Sequence, residues 1–204
     1  SYPGVGGCGL NILCAEAVDD AVVIVRGSPT GAAASMILLS LDGGATFTSV
    51  DTATTFDDPR TCVHDGLVIV GNRVATSYRV RPVAPGGGAG DEVATTTASF
   101  GTGCIVRRDD GTLWTFGWEA SAANTLDMDS SVSLDGGLTW ADPLDGRRIM
   151  KLDVAGYGTA GYESLSGGSW RGAIIVVARV TSNGATDNAL HFLQFGEWAN
   201  VTDG

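Results

Sequence analysis

The sequence has almost no lysine and few histidines. Lys151 is its only lysine, and two histidines accompany 23 acidic residues in a chain of 204. The formal net charge of −11 disfavours nucleic acid and anionic membranes as partners, because both repel an acidic protein. The same charge is typical of a protein that faces the outside of a cell or virion. The alternative is that it only keeps a β-rich protein soluble.

Long apolar runs and helical periodicity are also absent. The longest apolar runs hold about five to seven residues, too few to cross a membrane as a helix. No segment repeats its apolar residues every 3.6 positions, so we expect almost no helix. No signal peptide is visible, and the start at Ser1 suggests a processed or excised product.

The four cysteines give no metal-binding pattern, and no histidine lies near Cys8 or Cys14. We predict that Cys14, Cys62 and Cys104 are small buried residues on innermost strands, with a disulfide as the alternative. Acidic pairs without the alternating spacing of a calcium loop occur at Asp19/Asp20, Asp57/Asp58 and Asp109/Asp110. We therefore expect neither a metal nor a cofactor.

The two histidines do not suggest catalysis. His64 stands in the phrase VHDG, where a solvated turn is expected. His191 alternates with Leu190 and Phe192, a pattern that predicts a partly buried strand position. No nucleotide-binding, metalloprotease or serine-hydrolase phrase occurs.

Two copies of one phrase stand 93 residues apart, SLDGGATF at 40–47 and SLDGGLTW at 133–140. Each is typical of a tight turn, in which the Asp carboxylate accepts backbone N–H groups and the paired glycines allow positive φ. The final Phe or Trp then packs against a sheet. The residues of the shared pattern are Ser40, Asp42, Gly44, Thr46, Phe47, Ser133, Asp135, Gly137, Thr139 and Trp140.

Strand-like apolar runs recur with a regular spacing. The runs AVVIV, LVIVG, TLWTF and AIIVV begin at residues 21, 67, 112 and 173. Their intervals are 46, 45 and 61 residues, the last one lengthened by an insertion at 143–158. A period near 45 is typical of a four-stranded propeller blade. We divide the single domain, 1–204, into repeat units at roughly 12–55, 56–100, 101–145 and 159–203.

The phrase S-x-D-x-G-x-T-[WF] resembles the Asp-box, or BNR repeat, of the sialidase-like β-propeller superfamily. The resemblance implies an all-β fold, a β-propeller-like array of about four antiparallel four-stranded blades. In that superfamily the Asp-box turns lie on the outer edge of the propeller, away from the face that binds the ligand. Such propellers usually carry six or more blades, so four units do not decide how the ring of blades is closed. The chain closes as a four-bladed ring, associates with its own copies, or belongs to a longer protein; we favour the last two.

One further phrase, GYESL at 161–165, is similar to the Y-S-x-L stretch of sialidases, where the Tyr is the nucleophile. The resemblance implies Tyr162 as the catalytic nucleophile, with Glu163 where the family has a small residue. Sialidases also clamp the substrate carboxylate with three arginines, but none of the eleven arginines here stands in the family's R-I-P phrase. The alternative is a tyrosine that simply begins an inner strand.

A binding surface is suggested by one tryptophan. Trp170 stands in a turn before a strand and could stack on a sugar ring. Together with Arg79 and Arg108 it forms our candidate set for ligand binding.

These features favour a non-enzymatic role, as a structural or receptor- or glycan-binding module of an extracellular or virion assembly such as a tail or fibre. The alternative is a divergent sialidase-like glycoside hydrolase, and a third possibility is a pure scaffold. The expected partners are glycans or other protein subunits, including further copies of the chain. Nucleic acid and membrane insertion are not expected.

Overall fold

The computed structural model describes residues 11–27, 36–51, 57–74, 77–86, 88–98, 103–122, 125–143, 150–153, 161–181 and 188–195. These residues form sixteen strands in four antiparallel sheets, with no helix among them. Within these ranges no helix is long and apolar enough to cross a membrane. The all-β prediction is confirmed.

Each sheet is built from strands that follow one another along the chain. The first sheet contains β1 (Asn11–Val18), β2 (Ala21–Gly27), β3 (Met36–Ser40) and β4 (Thr48–Asp51). The second contains β5 (Asp57–His64), β6 (Leu67–Val74), β7 (Ser77–Ala84), β8 (Gly88–Ala89) and β9 (Val93–Ala98). The third contains β10 (Gly103–Arg107), β11 (Leu113–Ala122), β12 (Thr125–Ser133) and β13 (Met150–Asp153). The fourth contains β14 (Gly161–Trp170), β15 (Ala173–Thr181) and β16 (Asn188–Phe195).

One of the four sheets departs from the predicted four strands, and the last strand predicted for the fourth sheet lies outside the described residues. The second has five, because β7 pairs with β8 near its end and with β9 nearer its start. Gly86 and Gly88 both have positive φ and reverse the chain there, so the Gly-rich segment contains a hairpin. The fourth sheet has three strands over the described residues.

The third sheet also extends past its predicted boundary at residue 145. After the second repeated phrase, Ala141 makes only an isolated bridge to Val132. Pro143 follows closely, and proline has no N–H to continue a ladder. The outer strand is instead β13, which pairs with the first residues of β12, so part of the expected insertion belongs to the sheet.

The apolar cores lie between the sheets. In β6, Val68 and Val70 face the first sheet while Ile69 faces the third, as the two-residue period of a strand requires. The second and third sheets are therefore buried on both faces. Representative members of the three successive cores are Val23, Ile37 and Val70; Ile69, Tyr78 and Leu113; and Phe116, Leu165 and Val176.

The first strand of each sheet lies against the first strand of the next, in the order β1, β5, β10 and β14. We call these four the inner strands. Cys14, Cys62 and Cys104 lie on three of them, as predicted, but only Cys104 is buried, while Cys14 and Cys62 are half-buried. Sheets stacked side by side around a set of inner strands have the geometry of a propeller. Over the described residues the fourth sheet does not close onto the first.

The inner strands give the molecule two distinct ends. The β5–β6 and β10–β11 turns line one cleft, and the β10–β11 and β14–β15 turns hydrogen-bond to each other. We call this the lower end. The end at which the inner strands begin is the upper end.

Candidate functional site

The first repeated phrase folds into a tight turn at the lower end. Ser40 Oγ donates to Asp42 Oδ1 at 2.7 Å, and the Asp42 carboxylate accepts the N–H of Thr46 at 2.8 Å and its hydroxyl at 2.6 Å. Gly43 and Gly44 have positive φ. The Gly43 N–H donates to the Asp20 carbonyl at 2.9 Å, which ties this turn to the β1–β2 turn. The predicted capture of a backbone N–H by the aspartate is confirmed.

The second phrase repeats this network. Ser133 Oγ, the Thr139 N–H and the Thr139 hydroxyl donate to Asp135 at 2.8, 2.9 and 2.5 Å. Trp140 packs in the core between the second and third sheets, as predicted, and its indole N–H donates to the Gly137 carbonyl at 3.1 Å. In both turns, hydrogen bonds lower the pKa of the aspartate to about 2. The bond from the threonine hydroxyl has the largest effect, followed by those from the threonine N–H and the serine hydroxyl. These bonds make the two phrases structural turns.

A cleft of about 900 Å³ opens beside the second turn, between the second and third sheets. His64 lines it and is only 8% exposed, so the predicted solvated position is wrong. Its imidazole lies close to Gly136, where an added Cβ would come within 3.1 Å of Nε2. Among the described residues no three metal-ligating side chains are placed to hold an ion. The cleft is lined largely by turns, the second repeated turn among them.

Arg79 does not lie near the other two predicted ligand-binding residues. It is on β7 in the second sheet, where its guanidinium stands 3.7 Å from Glu92. Arg81 also contacts Glu92, at 3.4 Å. This arrangement is an ion-pair cluster that joins β7 to the chain just before β9.

Arg108 and Trp170 do lie close to each other at the lower end, Arg108 just after β10 and Trp170 at the end of β14. Arg108 Nε donates to the Gly172 carbonyl at 2.8 Å, and its Nη1 lies 3.1 Å from Asp110. We had expected Trp170 to lie in the turn, but it is the last residue of β14. The turn consists of Arg171 and Gly172. Its side chain is 51% exposed. The structure thus brings together two of the three predicted residues.

The upper end shows a different feature, which involves three of the four inner strands. The pairing register shifts between Ile12 and Cys14 in β1, between Asp57 and Arg60 in β5, and between Tyr162 and Ser164 in β14. Each shift lies within the first four residues of its strand. A bulge re-aims the side chains around it and is over-represented beside active sites.

Arg60 connects two of these strand starts. Its Nε donates to the Leu165 carbonyl of β14 at 3.3 Å, and its Nη1 donates to the Pro59 carbonyl at 3.0 Å. The third sheet separates the sheets of Arg60 and Leu165, so the arginine must pass across the centre of the inner strands. Sequence reasoning missed this residue, because nothing in the chain distinguishes it from ten other arginines.

Tyr162 and Glu163 stand at the register shift of β14, so the alternative prediction of a tyrosine at the start of an inner strand is correct for the backbone. Asp57 and Asp58 begin β5 in the same way. The side chains of all four residues lie outside the described part of the structure, and the assignment of Tyr162 and Glu163 as site residues stays a prediction.

In sequence, no protein-family model and no curated protein matches the chain. Solved structures do match its fold. A GH43_12 protein retrieved from a capybara gut metagenome gives a TM-score of 0.58 at 10% identity, over 89% of this chain and 38% of that chain. A GH43_1 enzyme from Xanthomonas citri complexed with xylose gives a TM-score of 0.53 at 12% identity, over 94% of this chain and 74% of that chain. A Trypanosoma rangeli sialidase in complex with sialic acid gives a TM-score of 0.55 at 14% identity, over 90% of this chain and 36% of that chain.

These likenesses establish the fold alone, since all identities are below 15%. The matched folds are β-propellers of glycosidases, and the chain described here has a propeller-like fold of the same kind. It spans well under half the length of the GH43_12 and sialidase chains.

Proposed function

We propose that the chain is a carbohydrate-recognising propeller module and that its sugar site lies at the upper end. The observation that carries the proposal is the coincidence of three register shifts at the starts of β1, β5 and β14. Regular strands would be enough to pack the sheets together. A bulge, in contrast, aims side chains out of the regular alternation and is over-represented next to active sites.

The residue types at these strand starts suit a sugar. Asp57 and Asp58 bring carboxylates to the start of β5, and Tyr162 and Glu163 bring a phenol and a carboxylate to the start of β14. Carboxylates accept hydrogen bonds from sugar hydroxyls, and an aromatic ring packs on the C–H face of a sugar. Arg60 holds β5 and β14 at a fixed separation through Leu165. The glycosidase names of the similar solved structures support the same ligand class.

A second candidate function is glycoside hydrolysis, favoured by the register shift at Glu163. In this reaction Tyr162 Oη attacks the anomeric carbon while Glu163 accepts the phenol proton. The glycosidic C–O bond breaks, and the departing oxygen takes a proton from a carboxyl group such as that of Asp58. Asp58 then takes a proton from water, whose oxygen attacks the anomeric carbon and cleaves the tyrosyl–sugar bond, while Glu163 returns its proton to the Tyr162 oxygen.

The proposal includes an extracellular or virion-surface setting, where an acidic protein with one lysine meets glycans. A structural or receptor-binding part of a tail or fibre fits that setting. Its partners are glycans and other protein subunits, including copies of the same chain.

A glycan array combined with fluorogenic xyloside, arabinofuranoside and sialoside substrates tests both functions. We expect wild-type protein to bind at least one glycan class, and Tyr162→Phe and Glu163→Gln to weaken that binding. Asp65→Asn is the matched control, because Asp65 is exposed at the lower end. Turnover that disappears in Tyr162→Phe establishes the hydrolase. Variants that bind like the wild type overturn the upper-end site, and a silent array leaves only a scaffold.

A further inference from the structure

The cleft between the second and third sheets combines an acidic rim with apolar walls. Its volume of about 900 Å³ lies within the range of about 300–1,000 Å³ that is typical of ligand pockets. Its described lining contains no lysine or arginine, but it contains the aspartates Asp65, Asp91, Asp110 and Asp135. Arg108 offsets part of this charge from outside the lining, 3.1 Å from Asp110. The rim therefore carries an excess of negative charge, which attracts a cationic group.

Two exposed leucines of the second repeated turn stand beside the cleft. Leu134 and Leu138 line it and are 81% and 69% exposed. No bond of the turn uses a leucine side chain, and the first turn makes the same network with Ala45 in the position of Leu138. Leu67 and Val93, both half-buried, continue the apolar surface into the cleft. Clustered apolar side chains rimmed by polar residues are typical of an interaction site.

The buried histidine in the cleft wall points independently to a ligand. The His64 imidazole lines the cleft and is 8% exposed. Its Nε2 lies 3.4 Å from the Asp65 carboxylate, which favours the proton on that nitrogen and leaves Nδ1 as an acceptor. Among the described residues no group hydrogen-bonds to Nδ1. A buried acceptor without a partner is costly, and the complement that it lacks is an N–H donor.

We infer that this cleft, which we call the His64 cleft, docks a peptide segment of another protein that carries arginine or lysine side chains beside apolar ones. The rim carboxylates pair with the cationic groups, which also supply N–H donors, and the leucines pack on the apolar side chains. A second copy of the chain is a poor occupant, because its net charge of −11 brings further negative charge to the rim. The cleft lies at the lower end, so the inference does not depend on the sugar site proposed at the upper end.

Fluorescence polarisation with peptides of defined composition tests the inference. The probe is a short fluorescein-labelled peptide that alternates leucine with arginine. In its two comparison peptides, glutamine replaces arginine or serine replaces leucine. We expect the probe to bind saturably and both comparison peptides to bind at least about tenfold more weakly. Binding should also weaken as the salt concentration rises, because salt screens the rim charges.

Substitutions at the rim locate the binding. Leu134→Ser should weaken probe binding by about tenfold. Leu41→Ser is its matched control, because Leu41 holds the equivalent position in the first turn, is also exposed and does not line the cleft. Asp91→Asn should weaken binding by about threefold, as expected for one exposed charge. Asp20→Asn removes an exposed charge at the lower end outside the cleft and should leave binding unchanged.

Three results would overturn the inference. The first is no saturable probe binding. The second is that the serine-containing peptide binds as well as the probe, or that the variants lose no more than their controls, since either shows general attraction of a cation to an acidic protein. The third is a dimeric mass in solution that becomes monomeric in Leu134→Ser, since a second copy then occupies the cleft. Asp65→Asn should weaken probe binding and leave glycan binding intact, so the peptide site and the sugar site fail separately.

Discussion

Arg60 and Leu165 belong to sheets that are not neighbours, yet Arg60 Nε donates a hydrogen bond to the Leu165 carbonyl at 3.3 Å. The second and fourth sheets are separated by the third, so this bond crosses the centre of the inner strands. It fixes the distance between the two strand starts that carry Asp57 and Tyr162. Arg60 is therefore both a structural tie and the scaffold of the proposed sugar site.

Loss of the hydrogen bond between Arg60 and Leu165 should lower the stability of the folded protein. Arg60→Ala removes a charge-assisted hydrogen bond and should lower the free energy of unfolding by about 1.5–3 kcal/mol. Arg60→Lys keeps the charge but not the planar fork, and should recover only part of the loss. Urea denaturation gives the values. Arg107→Ala, on the neighbouring inner strand with an exposed side chain, is the control and should stay within about 0.5 kcal/mol. Equal losses at both positions would contradict the assigned role.

Gly103 should not tolerate a side chain. An added Cβ would overlap the ring of Tyr78 and lie 3.0 Å from the Phe116 carbonyl, both in fully buried surroundings. Gly103→Ala should therefore cost about 1–3 kcal/mol of unfolding free energy. Gly168→Ala is the matched control in another inner strand, because no atom lies within 4 Å of its added Cβ. Thermal and urea unfolding of the pair decide the point, and a stable Gly103→Ala would show that Tyr78 packs elsewhere.

Stability should fall in acid through the two repeated turns. Hydrogen bonds lower the pKa of Asp42 and Asp135 from 3.8 to about 2 in the folded protein. The folded state then binds fewer protons than the unfolded state, so the stabilisation is present above pH 3.8 and is lost as the pH falls toward 2. Melting temperatures should decline across this window. The double variant Asp42→Asn, Asp135→Asn should show a shallower decline, and an unchanged slope would argue against the assigned bonds.

Cys62 should be chemically inert in the folded protein. Burial, with the nearby Glu16 carboxylate, raises the pKa of its thiol from 9.0 to about 12. The thiolate is the reactive form, so a maleimide should label Cys62 at neutral pH only after denaturation. Mass spectrometry of digests from native and unfolded samples measures this. Rapid native labelling of Cys62 would show that β5 is more open than described. The same shift makes Cys62 a source of instability above about pH 9, where the unfolded thiol ionises first.

Much of the fold was predictable because it depends on local chemistry. The phrases around Asp42 and Asp135 specify their turns through bonds between residues two to four positions apart. The recurrence of Cys14, Cys62 and Cys104 with the repeat period likewise placed them on inner strands. The strand number of the second sheet was harder to predict. The double pairing of β7 depends on a hairpin at Gly86 and Gly88 that the sequence also allows as a loop.

The amino-acid sequence by itself determined the all-β architecture, the spacing of its sheets and the two matching turns, because each follows from contacts between residues close along the chain. Only the tertiary structure decided the contacts that join distant segments. Arg60 meets Leu165 across 105 positions, Asp109 holds Gly172 across 63, and His64 is buried against Gly136. Such pairs depend on how the sheets stack around the inner strands, and no local pattern of residues encodes that arrangement.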